Sequence, residues 1–184
     1  MLKINFGSGT FPLPGWVNVD ADPDCNPDVL ADLSSFPLPF PDACAQYLHS
    51  EDFFDQLNVD QAYDFLHECH RILAPGGVMR LLTPDLGRLV DLYQRKDPEL
   101  LRLWTTFVGL PLRTGSLCEI MNLAMRLGGH TFLWDAPTLT ASMAECGFEA
   151  RPVRSGESAE EALRGLDLRN PQNSASMFFD CYRV

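Results

Sequence analysis

The sequence predicts a doubly wound α/β domain built on a mostly parallel sheet, and three observations predict it. Short β-rich runs fill the first half, with apolar residues at adjacent as well as alternate positions, as in strands covered on both faces. Amphipathic segments of helix length begin at Val59 and dominate the middle of the chain. The chain then closes on strand, short helix and strand. At 184 residues it fits one domain, residues 1–184, with no internal repeat and no linker.

The expected strands are Leu2 to Phe6, Trp16 to Val19, Val29 to Ala31, Ala45 to His49 and Val78 to Leu82. Between the third and fourth, Phe36-Pro37-Leu38-Pro39-Phe40-Pro41 is extended, because each proline pushes its predecessor out of the α region. The clearest helix runs from Val59 to Leu73, with apolar residues at 59, 62, 66, 69 and 73. Asn58 caps it, Gln61 completes a capping box, and Pro75-Gly76-Gly77 stops it. Further helices are expected over Asp85 to Arg95 and over Pro98 to Val108, the second capped by Asp97. Ser116 and Glu119 open a capping box into a helix reaching Leu127, and the helix from Asp135 to Cys146 ends at Gly147. Phe148 to Arg154 and Ser176 to Val184 are the last strands, with a short helix from Ser158 between them. Residues 98–129 read as a helical insertion. Its large apolar groups, Trp104, Phe107, Val108, Leu110, Met121 and Met125, suit a lid, a substrate pocket or a homodimer surface, with plain core packing as the default.

Composition narrows the partners. Asp and Glu number 25 against 14 Lys and Arg, a formal charge of −11, and no basic run interrupts the excess. A nucleic-acid binder needs a cationic face, so no nucleic acid is expected. No apolar run is long enough to span a membrane, and the six cysteines form no CxxC pair, so a reduced, cytoplasmic setting is expected. His67, Cys69 and His70 suggest a metal site, but position 69 belongs to the apolar stripe of an amphipathic helix; no metal is expected.

In a doubly wound sheet the ligand crevice lies beyond the strand C-termini, so chemistry is sought there. After the first strand stands Gly7-Ser8-Gly9, where a missing Cβ lets the backbone approach a ligand. The second ends on Asp20, a carboxylate able to accept hydrogen bonds from both hydroxyls of a ribose. The third ends at Asp32-Leu33, an acceptor and an apolar cover where an adenine ring would lie. The fourth ends near His49-Ser50-Glu51, and the fifth at Thr83-Pro84-Asp85-Leu86.

These pieces carry a resemblance. Phe6-Gly7-Ser8-Gly9, Gly15-Trp16-Val17-Asn18-Val19-Asp20, Leu38-Pro39-Phe40-Pro41-Asp42 and Arg71-Ile72-Leu73-Ala74-Pro75-Gly76-Gly77 are similar to class I S-adenosylmethionine-dependent methyltransferases, specifically the small bacterial methyltransferase-domain proteins. Arg80-Leu81, Pro84-Asp85-Leu86, His130, Trp134-Asp135 and Ala144 to Phe148 extend it over nearly the whole chain. The resemblance implies a Rossmann-like, seven-stranded sheet with an antiparallel last strand. It implies S-adenosylmethionine as cofactor, Gly7, Ser8 and Gly9 under its methionine portion, Asp20 on its ribose, Asp32 and Leu33 at its adenine, and Ser50 lining the pocket. The implied reaction is methyl transfer to a small-molecule substrate.

The chain also departs from that pattern. Gly9 and Trp16 enclose only residues 10–15, including Pro12, Pro14 and Gly15, so the first crossover is shortened and holds no ordinary helix. Phe11 stands at the usual third glycine, where it either stacks over a ligand or fills its space. Glu51, Asp52, Asp55 and Gln56 make an acidic rim or a solvated helix start. His130, after Gly128-Gly129, is a candidate general base for a hydroxyl or amine acceptor, against a loop histidine bonded to backbone. A noncatalytic binding module with the same fold is the second functional hypothesis, and a nicotinamide-dependent dehydrogenase a weaker third.

Overall fold

The structure, a computed structural model, describes residues 1–184. Seven strands, β1 (Leu2–Phe6), β2 (Val17–Asp20), β3 (Val29–Leu30), β4 (Ala45–Glu51), β5 (Leu73–Pro84), β6 (Phe148–Pro152) and β7 (Ser176–Arg183), form one sheet in the order β3-β2-β1-β4-β5-β7-β6. The first five pair in parallel, and β7 runs antiparallel to both neighbours. The expected Rossmann-like sheet with its antiparallel last strand is therefore present. The helices are α1 (Val59–Ile72), α2 (Leu86–Gln94), α3 (Pro98–Leu103), α4 (Leu117–Ala124) and α5 (Ala136–Glu145). None is long and apolar enough to cross a membrane.

Local chemistry sets several boundaries differently from the sequence expectation. The Asn58–Gln61 capping box is complete, at 3.0 and 3.1 Å. Pro75-Gly76-Gly77, however, lies inside β5, which starts directly after α1. The turn is taken up as a register shift between the pairs Ala45↔Leu73 and Tyr47↔Val78. The helix expected to reach Val108 is α-helical only to Leu103 and then widens into a π-turn over Trp104–Val108, closed by Gly109 in a left-handed conformation. Ser116 caps α4, but Glu119 turns its carboxylate to the N–H groups of Arg113 and Thr114, so the reciprocal half of that box is missing. The short helix expected from Ser158 is a single 3-10 turn at Glu161–Leu163.

Strand side chains alternate between two unlike faces. Ile4, Phe6, Leu48, Leu81 and Phe179 enter a core of 26 buried residues with Phe65 and Leu66 of α1 and Leu139 and Met143 of α5. The opposite face carries buried Asn5, Asn18, His49, Arg80 and Asp180. Segments 8–16 and 153–175, which hold no α-helix, cover it, contributing Trp16 and Leu163 against Val78. The shortened first crossover explains this: without a helix between β1 and β2, that face has no amphipathic stripe to bury.

Arg80 organises the cover. Its guanidinium donates to Asp167 and Asp180 and to the carbonyls of Arg154 and Glu157, with no exposed surface on Arg80. Asp180 also accepts from Ser158 Oγ at 2.6 Å, and Asp167 from the Gly156 N–H at 2.7 Å. On the helical face, Arg71 donates to the carbonyls of Leu38 and Phe40 and pairs with Glu68, holding the proline-rich segment extended with Leu38 and Phe40 inward. Residues of α2, α3 and α4 pack into a separate cluster around Leu89, Leu103, Trp104 and Ile120.

Candidate active site

A crevice of about 730 Å³ opens beyond the C-terminal ends of β1, β2 and β4. Gly7, Ser8, Gly9, Asp20, Asp32 and Leu33 all line it. Ser50 does not. It is fully buried beside the helical core, and the period-two alternation of β4 turns its neighbours His49 and Glu51 to the crevice instead. Phe11 forms part of the wall with 63% of its surface exposed, so it frames the crevice without filling it.

The two glycines of the turn have different jobs. Both have positive φ, +67° at Gly7 and +48° at Gly9. A Cβ on Gly7 would lie 2.7 Å from Phe53 Cβ, whereas one on Gly9 would meet nothing within 4 Å. Gly7→Ala is therefore expected to destabilise the fold by about 2–4 kcal/mol, from left-handed strain plus overpacking. Gly9→Ala should cost only about 1–2 kcal/mol of stability while placing a methyl group in the crevice. Denaturant unfolding together with ligand titration separates the two; equal stability losses would show that Phe53 does not press on the turn. The Gly9 N–H donates to Asp20 Oδ2 at 2.7 Å, and the Asp22 N–H to Oδ1 at 2.9 Å. Ser8 Oγ is buried with no partner. The Asp32 carboxylate accepts from the Ser34 hydroxyl and amide and from Ser35 Oγ; these bonds, the Ser34 hydroxyl foremost, hold its pKa below the usual range.

Residues beyond the expected cofactor set complete the crevice and its support, and of these Asn5, Asp28 and residues 168–169 carry no strand-end signal. Asp28 is held ionised by N–H donors of Asn18. A carboxylate only accepts, so Asn18 turns its NH₂ to Asp28 and its Oδ1 to the NH₂ of Asn5, which leaves Asn5 Oδ1 facing His49 Nδ1 at 2.8 Å. The proton of His49 thus sits on Nδ1, and Nε2 is a bare lone pair, buried and unpartnered. Burial pushes the His49 pKa down to about 4, so the ring is neutral at pH 7. Glu51, whose pKa burial raises, accepts the N–H groups of Leu168 and Arg169 at 3.1 and 2.7 Å, and Asp52 accepts from Arg169 Nε at 2.5 Å. The acidic rim is therefore the anchor for residues 168–169, which form the far wall of the crevice.

A second cavity, about 510 Å³, lies between α2, α3, the π-turn and α4. Leu89, Leu103, Trp104, Phe107 and Ile120 give it an apolar body. Asp52, Gln56 and Arg169 line both cavities and form the partition between them. His130 also lines the second cavity, but both its ring nitrogens face the protein. Nδ1 lies 2.7 Å from the Ala124 carbonyl, and Nε2 3.0 Å from Asp55 Oδ2. Asp55 is fully buried, and burial raises its pKa against the opposing pull of His130. Both nitrogens of His130, the residue expected as general base, are thus turned to protein oxygens, Nδ1 to a carbonyl and Nε2 to a carboxylate oxygen that it approaches without an aligned hydrogen bond. His67 and His70 pack toward Cys146 and Phe148, on the face of α1 away from both cavities.

No protein-family model and no curated protein sequence matches the chain. Solved structures do. A SAM-dependent methyltransferase from Archaeoglobus fulgidus superposes with a TM-score of 0.62 at 11% identity, covering 98% of this chain and 85% of that one. One from Methanosarcina mazei gives 0.57 at 14% identity, over 99% and 92%. One from Mesorhizobium loti gives 0.58 at 13% identity, over 99% and 90%. With its strand order, its antiparallel β7 and its crevice at the carboxyl edge, the chain has the fold of the class I S-adenosylmethionine-dependent methyltransferases.

Proposed function

We propose that the protein is an S-adenosylmethionine-dependent methyltransferase acting on a small-molecule acceptor. The observation that carries this reading is the pair of adjacent cavities at the carboxyl edge, the first ringed by the carboxylates of Asp20, Asp32, Glu51 and Asp52 and the second with an apolar body, both lined by Asp52, Gln56 and Arg169. The crevice fits the cofactor on its own evidence. Its volume lies in the range of small-molecule sites, and the buried, unpartnered Ser8 Oγ and His49 Nε2 belong to residues of its lining. Asp20 would hold the ribose through its remaining lone pairs, Gly7 and Gly9 would admit the chain of the methionine portion, and Asp32 with Leu33 would bound the adenine.

When bound, the cofactor supplies a methyl group on a positively charged sulfur. The protein's work is then to align two reactants and keep water out, which supplies several kcal/mol by proximity alone. Residues 166–169 close one side of the crevice, and the partition fixes the line of approach from the second cavity. The turning of both His130 nitrogens toward protein oxygens is compatible with this chemistry, since positive charge disperses in the transition state.

Calorimetric titration of the purified protein with S-adenosylmethionine and with S-adenosylhomocysteine tests the reading. Saturable binding of both is expected, weakened by a side chain at Gly9. No detectable heat at millimolar ligand would overturn it.

A further inference from the structure

Asp52 occupies a special position. It is the carboxylate that lines both cavities, and its backbone is left-handed, with φ +53°. Non-glycine residues rarely adopt that conformation unless their surroundings enforce it, and such residues gather at functional sites. Here the Asp52 N–H donates to the Leu82 carbonyl, and Gln56 Nε2 donates to the Asp52 carbonyl at 2.9 Å. Arg169 Nε binds Oδ2, and no protein group donates to Oδ1.

The charges around the second cavity cancel. Asp52 and Arg169 pair with each other, His130 faces Asp55, and the rest of the lining is neutral. Nothing there compensates an ionic guest, while an anion would meet the free oxygen of Asp52. We infer that the second cavity takes an uncharged, largely apolar small molecule bearing a hydroxyl or N–H group, and that Asp52 accepts that hydrogen at the partition and removes the proton. The chemical step itself rests on the methyltransferase reading. In it the acceptor's lone pair forms the new bond to the methyl carbon, the S–CH₃ pair stays on sulfur as a thioether, and the proton moves to Asp52 and then to water.

Two probes with one apolar body test the inference: 2-naphthol and 2-naphthoate, titrated by calorimetry with and without S-adenosylhomocysteine. The wild-type protein is expected to bind the naphthol at least about tenfold more tightly than the anion. In Asp52→Asn the naphthol should weaken and the naphthoate tighten, bringing the two within about threefold, because Arg169 is left without its counter-charge. A merely structural Asp52 would shift both probes together. Phe107→Glu, at a half-exposed position of the cavity lining, should weaken both without disturbing the fold. The inference is overturned if naphthoate binds the wild type as well as naphthol, if Asp52→Asn leaves the ratio unchanged, or if neither probe binds. Should the head-group preference hold while S-adenosylhomocysteine fails to bind, the methyltransferase reading falls and the recognition by Asp52 stands. Formation of 2-methoxynaphthalene with S-adenosylmethionine, lost in Asp52→Asn, would support both.

Discussion

Arg80→Met is expected to cost about 3–5 kcal/mol of stability, the usual penalty for removing one partner of a buried ion pair. For a chain of this size that is a fall in melting temperature of roughly 10 °C. The reason is arithmetic of charge: one buried guanidinium serves Asp167 and Asp180 together, so its removal leaves two buried carboxylates facing each other. Asp180→Asn should be much milder, about 1 kcal/mol, since the amide can still accept from Arg80 and donate to Ser158 while the Arg80–Asp167 pair stays balanced. Denaturant unfolding of the two variants checks this order, and equal losses would show that the second carboxylate carries no share. The effect should reach the crevice as well. Residues 166–169 belong to the segment that Arg80 holds down, so amide exchange there should accelerate in Arg80→Met even where the rest of the sheet stays protected.

Asp20→Ala is expected to weaken binding of S-adenosylmethionine by about 1.5–3 kcal/mol, roughly 10- to 150-fold. Two effects add. The ribose loses its acceptor, and the Gly9 turn loses the 2.7 Å bond that holds its N–H toward β2. Titration with 5′-methylthioadenosine, which keeps the ribose but lacks the amino-acid end, isolates the first: Asp20→Ala should weaken it too, by a smaller factor. Unchanged affinity for both ligands, in a variant that still unfolds cooperatively, would remove Asp20 from the site.

The sheet is legible in the sequence because its signals are local. Each strand carries its own apolar run, and the Asn58–Gln61 box marks the start of α1 with side chains three residues apart. Boundaries fail where a local signal has two physical outcomes. Pro75-Gly76-Gly77 ends a helix and also lets a strand bulge, and only the pairing of β4 with β5 selects the second. Among the site residues, the glycine turn, Asp20, Asp32 and Leu33 stand at strand ends, where topology alone puts them at the crevice. Ser50 misses the crevice by a single residue, which in a strand exchanges the two faces. The inward register of Leu48 is the available clue, and it directs 49 and 51 to the crevice. Arg169, Asp55 against His130, and the relay from Asp28 to His49 join segments distant in sequence, so no spacing announces them.

The strand order also constrains how the molecule comes into being. β6 is synthesised before β7, yet β7 is its sole hydrogen-bonding neighbour in the sheet, so it remains an unpaired ribbon on the ribosome until the later strand slides in beside β5. Arg80 waits longer, since its carboxylate partners emerge 87 and 100 residues behind it. The wall of the crevice is consequently a late event in assembly, and a nascent chain halted before residue 153 would lack most of the cover over the polar sheet face and the far wall of its ligand site.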